Sequence, residues 1–401
     1  MNAAESALLD GTELAPPLWS ELAVENPQPR FRQLMDEHRV LRGPNAMVFT
    51  QMADIIAINR HKAVHATADN VLLMGARRPL IPFQVDGDRH RSYRRLLDPL
   101  VSAKQMADFA SEIRELAVDC LEPLVARGEG DFFADFCVPL PSRVFLRLLG
   151  LPQADVQFLV NFKDDVSRPR AATAEERQQI TKAASDRMYD YLERAIDAAK
   201  HAPEAHEGML ARFVTCELDG EHLTKEEISD LVYLLILAGL DTLSASFSCL
   251  IAWLARHPSA QQWLREDSSR LDAAIEELLR YESPVPKGAR FATADLDVNG
   301  ITIPAGTDIG ILWACANLDE SVFPNALQID LGRQNNRHVA FASGFHRCLG
   351  PHLARIELRV VLELLLQRTS GFRIQPGCKP AYWAKGVRTV RNLVLTVEPT
   401  R

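Results

Sequence analysis

The stretch that decides the fold is residues 341–350, which read Phe-Ala-Ser-Gly-Phe-His-Arg-Cys-Leu-Gly. It directly precedes residues 351–368, whose apolar spacing predicts a helix. A helix N-terminus carries unpaired N–H groups and a partial positive charge, so Cys348 is favoured there as a thiolate, the form that binds metal. Gly344 and Gly350 let the backbone turn tightly and approach a flat cofactor closely.

Three interpretations of Cys348 remain open from this stretch alone. It can be a buried structural cysteine in a helix-capping loop, where cysteine behaves as a small apolar residue. It can form a zinc site with His346 and His352, although no second Cys/His cluster at ligand spacing completes that set. It can be the single thiolate ligand of a haem iron. The other segments of the chain must decide between these readings.

The composition is that of a globular protein without a general affinity for nucleic acid. Of 401 residues, 47% are hydrophobic and 24% are charged. The net charge of −8 argues against nucleic acid as a partner, because such binding needs a basic surface. The seven cysteines are scattered and form no CxxC pair, which favours a reducing compartment and no disulfide framework.

The sequence predicts neither a secretory signal nor a membrane span. The N-terminal stretch has acids and prolines where a signal peptide needs a basic end and an apolar run. The most apolar run, residues 231–240, has ten residues, whereas a membrane-spanning helix needs about 20. We therefore expect a soluble, cytoplasmic protein with no membrane partner, acting as a monomer.

Long helical patterns dominate the chain, and strand signals are short. Helices are predicted over residues 173–200, 224–257, 271–281 and 351–368, the second beginning with a Thr224/Glu227 capping box. Strands are predicted at residues 47–51, 296–303 and 392–397. Because strands and helices do not alternate, we predict a mainly α fold with a small β subdomain. It should form a single domain over residues 1–401, whose first about 30 residues are loosely ordered.

The cysteine stretch resembles the haem-binding signature FxxGxxxCxG of the cytochrome P-450 family, matched by Phe341, Gly344, Cys348 and Gly350. Many bacterial members have glycine where this chain has Ala342, a departure that concerns local backbone geometry. Three further groups of residues also resemble motifs of the family, and the motifs occur along the chain in the family's order.

The first is the run Ala238-Gly239-Leu240-Asp241-Thr242 within the long apolar helix. On its own it could be a helix kink in which Thr242 bonds the carbonyl four residues back. It resembles the family's oxygen-activation motif, which implies that Ala238 and Gly239 lie over the distal face of the haem. The resemblance assigns proton delivery to Asp241 and Thr242.

The second is the pair Glu277 and Arg280, whose spacing puts acid and base on one helical face. It resembles the family's ExxR pair, a buried structural clamp behind the cysteine loop. The family usually adds an Arg or His, and the corresponding position is expected to be Gln328, with Arg333 or Arg337 as substitutes.

The third group contains basic residues, which the resemblance assigns to the two haem propionates. His90 and Arg94 match the family's HxxxR pattern, four residues apart on one predicted helix face. Arg290 matches the arginine that begins a later strand, and His346 completes the set. The adjacent arginines, Arg91 and Arg95, are interpreted as solvated surface cations.

The resemblance implies a triangular, prism-shaped cytochrome P-450 fold, with the long central helix over a b-type haem whose iron is bound by Cys348. It implies a monooxygenase that inserts one atom of O2 into a small, mainly apolar organic substrate, most simply by hydroxylation. Electrons would come from NAD(P)H through a ferredoxin and a ferredoxin reductase. The alternatives are a peroxide-driven peroxygenase or a non-enzymatic haem sensor, and the Asp241–Thr242 pair argues against both.

Two groups of cations are candidates for binding a partner or a substrate. Near the thiolate side, an acidic ferredoxin could dock in a salt-sensitive way on Arg89, Arg91, Arg95, Lys104, Arg347 and Arg355. In segments expected to line the substrate pocket, Arg77, Arg78 and Lys287 either face water or bind a polar or acidic end of the substrate.

Overall fold

The helices were assigned in a computed structural model that describes residues 9–10, 13–14, 16–68, 72–205, 207–384 and 386–400. In chain order they are α1 (Pro16–Leu22), α2 (Gln28–Glu37), α3 (Met52–Arg60), α4 (Gly87–Leu97), α5 (Ala103–Asp108), α6 (Ala110–Arg127), α7 (Pro139–Leu149), α8 (Val156–Ser167), α9 (Ala174–His201), α10 (Gly208–Thr215), α11 (Lys225–Arg256), α12 (Pro258–Glu266), α13 (Leu271–Glu282), α14 (Trp313–Ala316) and α15 (Pro351–Arg368). Helix accounts for 56% of the structure, which confirms the mainly α fold class.

The strands are short. They are β1 (Leu9–Asp10), β2 (Glu13–Leu14), β3 (Val40–Arg42), β4 (Ala46–Phe49), β5 (Val64–His65), β6 (Glu129–Asp131), β7 (Glu217–Leu218), β8 (Glu221–His222), β9 (Gly288–Ala292), β10 (Leu296–Val298), β11 (Ile301–Ile303), β12 (Asp308–Ile311), β13 (Thr369–Ile374), β14 (Ala381–Trp383), β15 (Thr389–Arg391) and β16 (Val394–Pro399). The largest sheet has the order β3-β4-β12-β9-β5, in which β12 runs parallel to β4 and antiparallel to β9.

The structure reproduces the main helices and strands that the sequence predicts. Helix α11 begins after the predicted capping box: the Glu227 N–H donates to Thr224 Oγ1 at 3.1 Å, and the Thr224 N–H donates to Glu227 Oε2 at 2.9 Å. Such a box satisfies two of the amide groups that a helix start leaves unpaired. The strand predicted at residues 296–303 is a hairpin of β10 and β11.

The chain divides into two compact units. Unit 1 comprises Met1–Ala68, Ala117–Cys137 and Ser244–Arg401, and unit 2 comprises Asp69–Leu116 and Val138–Leu243. The predicted single domain stays a prediction.

Unit 1 contains the five-stranded sheet and the helices that follow α11. A hydrophobic cluster in this unit packs α1 to α3 against this sheet, with Trp19, Phe49 and Trp313 among the buried side chains. Unit 2 is built mainly from α4, α5 and α7–α10, and α11 supplies residues to both units. The N-terminal segment expected to be loosely ordered lies partly outside the described residues; within α1, Leu18 and Trp19 are buried.

Among the described residues, α11 is long and apolar enough to cross a membrane by length and composition alone. However, 72% of its most apolar window is buried inside the protein. A core helix of a globular protein meets the same criterion, so this feature is weak evidence for a membrane span.

Candidate active site

The cysteine loop is closed by its own backbone and docked on the end of α3. The Cys348 N–H donates to the Phe341 carbonyl oxygen at 2.9 Å, directly before α15. Gly344 has a φ of +71°, and a Cβ at this position would lie 2.0 Å from the carbonyl oxygen of Asn59. The Phe345 N–H donates to that same oxygen at 3.3 Å. Only glycine allows both this backbone conformation and this close approach.

Ala342 has a φ of +58°, in the left-handed region of backbone space. A residue with a Cβ costs roughly 1–2 kcal/mol in that conformation. Glycine, which the family often has at this position, would avoid that cost. With alanine at position 342 the loop therefore keeps its geometry, but its backbone is slightly strained there.

The predicted clamp is fully buried and has more members than the sequence indicated. Glu277 receives two hydrogen bonds of 2.8 Å from Arg280, and both side chains are 0% exposed. Arg333 Nε donates to Glu277 Oε2 at 3.0 Å, and Asn336 Nδ2 donates to the same oxygen at 3.0 Å. Burial opposes ionisation of Glu277, but the bonds and charge of Arg280, together with Arg333, hold its pKa below the usual value.

Gln328, the position where the family's third cation is missing, does not complete the clamp with its side chain. Gln328 contributes only its backbone carbonyl, which accepts from Arg280 at 3.4 Å and from Arg333 at 3.3 Å. Of the two substitutes considered, Arg333 is the one whose guanidinium reaches Glu277. The irregular backbone between the two positions brings it there, and residue spacing alone does not reveal such a path.

A second carboxylate cluster, which the sequence reasoning missed, lies beside the clamp. Arg355 donates to both oxygens of Glu276, through Nε and Nη2, at 2.7 Å each. His338 Nε2 lies 3.1 Å from Glu276 Oε2. Burial raises the pKa of Glu276, but the hydrogen bonds from Arg355 and His338 outweigh it and lower that pKa to about 2. The cluster therefore joins α13, α15 and the segment before the cysteine loop.

The run at the middle of α11 has both a packing role and a polar cluster. A Cβ on Gly239 would lie 2.0 Å from a ring carbon of Phe145 in α7, so only glycine fits there. Thr242 Oγ1 donates to the Ala238 carbonyl oxygen at 2.7 Å, the bond to the residue four back. Asp241, 9% exposed, accepts from Arg168 Nη2 at 2.6 Å.

The donor chemistry around Cys348 would suit a single thiolate ligand of a cofactor iron better than a zinc site. Among the described residues, no group of three His, Cys, Asp or Glu side chains is arranged to hold a metal ion. His346, Cys348 and His352 therefore do not form the zinc set that the sequence left open. Cys348 is exposed at the start of α15, where the helix dipole and the charge of Arg355 favour a thiolate that can bind an iron supplied by a cofactor.

Comparison with known proteins decides the family. A family model described as "Cytochrome P450" matches residues 153–380, more than half of the chain. The chain belongs to the cytochrome P450 family.

Similar proteins support this assignment over most of the chain. A probable cytochrome P450 127A1 of Sinorhizobium fredii is 32% identical over 348 residues, covering 86% of this chain and 80% of the relative. A steroid C26-monooxygenase of Mycobacterium tuberculosis is 30% identical over 329 residues, covering 80% of this chain and 88% of the relative. The crystal structure of P450BioI in complex with an acyl carrier protein ligated by hexadec-9Z-enoic acid has a TM-score of 0.86 and 25% identity. The superposition covers 94% of this chain and 100% of the P450BioI chain.

The cytochrome P450 family consists of haem-iron monooxygenases whose iron is bound by a cysteine thiolate and which use O2. The chain is therefore a cytochrome P450 monooxygenase. The assignment of the thiolate to Cys348 and the individual roles expected for the other site residues stay predictions.

In this cytochrome P450 two of the four predicted propionate partners, His90 and Arg290, are buried, and Arg94 and His346 are partly exposed. His90, 5% exposed, and Arg94 lie four residues apart on α4 in unit 2. Arg94 Nη2 also lies 2.7 Å from Asp98 Oδ1, so part of its charge is already compensated. Arg290, 6% exposed, lies on β9. Both Arg290 and His346 belong to unit 1.

Arg77 and Arg78 bind acids of the protein, an arrangement that the sequence reasoning did not consider. Arg77 lies 3.0–3.4 Å from Asp186, Asp190 and Glu193 of α9. Arg78 forms two hydrogen bonds to Asp230 of α11, at 2.7 and 3.1 Å. Both arginines thus hold their loop against helices of unit 2. Lys287, the third cation considered, lies 5.7 Å from the ring centre of Trp19.

Several cations of the expected ferredoxin face are also paired with acids. Arg89 pairs with Glu227, Arg91 with Asp88, Arg95 with Asp219 and Arg355 with Glu276. Arg91 and Arg95 are exposed, as expected for surface cations, although each has an acidic partner. These pairs reduce the net positive charge that the six residues can offer to an acidic partner.

Proposed function

We propose that this cytochrome P450 binds a b-type haem through Cys348 and inserts one atom of O2 into a small, mainly apolar organic substrate, by hydroxylation. The other oxygen atom leaves as water, so each turnover consumes two electrons and two protons. The observation that carries the proposal is the placement of Cys348 just before α15, in a loop that contacts Asn59 and the Glu276 cluster. The Glu277 clamp binds the segment that leads into this loop.

The haem, when bound, supplies the binding and activation of O2. The protein must supply protons, and two side chains of α11 have suitable chemistry. The Thr242 hydroxyl donates a hydrogen bond to the Ala238 carbonyl oxygen, so the hydroxyl oxygen can accept a hydrogen bond from a water molecule and hold that water in place. Asp241 can pass a proton towards it, and Arg168 keeps the carboxylate oriented.

The proposed electron source is NAD(P)H, acting through a separate ferredoxin and ferredoxin reductase. We also propose that the protein works in the cytoplasm as a soluble monomer, without nucleic acid or membrane as a partner. The Asp241–Thr242 pair favours use of O2 over a peroxide-driven reaction or a haem sensor, because neither alternative needs delivery of protons to O2.

The name of the steroid C26-monooxygenase relative supports an apolar substrate class. Because Arg77 and Arg78 are already bound to acids, they are poor candidates for binding an acidic end of the substrate. A mainly apolar substrate is therefore the simplest proposal.

The thiolate assignment is tested by the difference spectrum of the dithionite-reduced protein with and without carbon monoxide. We expect a strongly red-shifted Soret band in the wild-type protein and its loss in Cys348→Ser. Cys378→Ser is the matched control, because Cys378 is a partly exposed thiol outside the loop. A wild-type protein that binds no haem, or a Cys348→Ser variant that keeps the band, would contradict the proposal.

A further inference from the structure

The carboxylate cluster around Glu276 is fixed from two sides. Arg355 binds both carboxylate oxygens, and Glu276 and Arg355 are separated by 79 residues in sequence. His338 Nδ1 accepts the Ala340 N–H at 3.1 Å, so the proton of this neutral ring lies on Nε2 and is donated to Glu276. With all of these bonds made, the three side chains have little freedom to move independently.

The cluster reaches the cysteine through one aromatic ring. The guanidinium carbon of Arg355 lies 4.6 Å from the ring centre of Phe341, and the His338 ring centre lies 5.9 Å from it. The Phe341 carbonyl oxygen in turn accepts the Cys348 N–H at 2.9 Å. Phe341 is therefore held on its side-chain face by the cluster and on its backbone by the cysteine.

The cluster also carries charge close to the sulfur. The hydrogen bond to Glu276 is the largest cause that raises the pKa of Arg355; burial opposes it, and the negative charges of Glu276 and Cys348 add to it. Attraction between two charges is mutual, so the guanidinium stabilises negative charge on Cys348. Glu276 partly cancels this effect because it lies on the same guanidinium.

We propose that Glu276, His338 and Arg355 are positioning residues for the Cys348 thiolate, which fix the Phe341–Cys348 loop and set the net charge behind the sulfur. The inference rests on the proposed haem-thiolate function and deepens it. One-electron reduction adds a negative charge to the haem–thiolate unit, and a nearby cation stabilises that charge. Arg355 thereby raises the midpoint potential of the bound haem, and Glu276 limits the increase.

The same two helices provide a matched control. Arg359 in α15 and Asp272 in α13 form a pair at 2.5 Å. Each lies four residues from the corresponding member of the Glu276–Arg355 pair, so the control pair lies about one helical turn away. The Asp272 side chain is 72% exposed and the Arg359 side chain 35% exposed. Arg359→Gln removes one positive charge, as Arg355→Gln does, but from this more exposed pair.

The test is a potentiometric titration of the haem-loaded protein with dithionite, comparing Arg355→Gln, Glu276→Gln and Arg359→Gln. Arg355→Gln should shift the midpoint potential to more negative values, because it removes a cation. Glu276→Gln should shift it to more positive values, because it leaves the cation uncompensated. Arg359→Gln should give a smaller shift than either.

Hydrogen–deuterium exchange of the same haem-loaded proteins separates position from charge. Arg355→Lys keeps the positive charge but loses the bidentate hydrogen bonds to Glu276 and the contact of the guanidinium with the Phe341 ring. It should therefore keep a midpoint potential near the wild-type value while exchange in residues 339–350 becomes faster. Arg359→Gln should leave that exchange unchanged.

Shifts of the same sign in Arg355→Gln and Glu276→Gln, or shifts no larger than that of Arg359→Gln, would overturn the inference. So would unchanged exchange of residues 339–350 in Arg355→Lys. If Arg355→Gln fails to fold, the Glu276→Gln shift and the exchange in Arg355→Lys still decide. A wild-type protein without the thiolate Soret band refutes the proposed function itself, whereas a normal band with no opposite shifts refutes only this inference.

Discussion

The hydroxyl of Thr242 hydrogen-bonds to the Ala238 carbonyl oxygen, one turn earlier in α11. That bond by itself is an ordinary helix contact, in which a threonine satisfies its donor locally. What distinguishes this position is its neighbour: Asp241 is mostly buried and paired with Arg168, and Lys163 Nζ lies 3.8 Å from the same carboxylate oxygen. A buried ion pair next to a hydroxyl is costly to maintain, which favours a functional reason for it.

Thr242→Ala should reduce the share of consumed NADH that ends in oxidised product, by tenfold or more, while NADH consumption continues. The reason is that a positioned proton donor typically contributes 10²–10⁴-fold, and without it reduced oxygen escapes as peroxide. The measurement is product and hydrogen peroxide formed per NADH, with a surrogate ferredoxin and its reductase and with an apolar compound that shifts the spin state of the bound haem as the substrate. Thr242→Ser keeps the hydroxyl and serves as the control; if the two variants couple equally well, the proposed role of the hydroxyl is wrong.

At the scale of helices, α7 and α11 in unit 2 approach each other at one glycine. The Phe145 ring occupies the space where a Cβ of Gly239 would stand, with three ring carbons at 2.0–2.9 Å from that position. Phe145 itself is 6% exposed, so its ring has little room to turn away. A glycine inside a helix costs about 1 kcal/mol relative to alanine, and here the close helix contact offsets that cost.

Gly239→Ala should therefore destabilise the protein by about 1–3 kcal/mol, despite the better helix propensity of alanine, because it overpacks this contact. Phe145→Leu alone should also destabilise, because it removes buried ring atoms. The double variant should be more stable than the sum of the two losses predicts, since the smaller side chain makes room for the new methyl group. Urea unfolding followed by circular dichroism measures all three; strictly additive losses would show that the two residues do not share this space.

At the scale of the whole molecule, sequence patterns predicted what is local and missed what is long-range. The capping box of α11 and the Glu277–Arg280 pair each depend on residues within a few positions of one another. The sequence could not decide between Arg333 and Arg337 as the third clamp member, because an irregular segment, not a helix, carries Arg333 to Glu277.

The Glu276–Arg355 pair was missed for a related reason. Both residues lie on helices next to other charged residues, so in the sequence they look like members of solvated faces. Arg355 was accordingly counted among the cations of a ferredoxin-binding surface. Its actual partner is fixed only when α13 and α15 pack together, which no pattern along a single helix can reveal.

The dependence of global stability on pH is also set by a long-range environment, that of Glu357 on α15. This side chain is 0% exposed, and neither of its carboxylate oxygens has a hydrogen-bond partner among the described residues. Burial raises its pKa well above the usual value. A carboxyl group with a raised pKa in the folded state contributes stability that is fully present below its unfolded pKa. That stability is lost as the pH rises towards the folded pKa.

Glu357→Gln keeps the size of the side chain and cannot ionise, so it should remove this loss. Relative to the wild type, its free energy of unfolding should rise by about 1.4 kcal/mol per pH unit above pH 5, until the pH reaches the folded pKa of Glu357. The pKa of Glu276 is lowered to about 2, so this residue has the opposite effect on stability. Its contribution to the free energy of unfolding is lost only as the pH falls below about 4.5, and measurements between pH 5 and 8 therefore do not include it. Urea unfolding at pH 5, 6, 7 and 8 measures the difference, with Glu363→Gln, a half-buried acid on the same helix, as the control. A difference between Glu357→Gln and wild type that stays constant across this range would mean that Glu357 is already ionised in the folded protein, with a partner that compensates its charge.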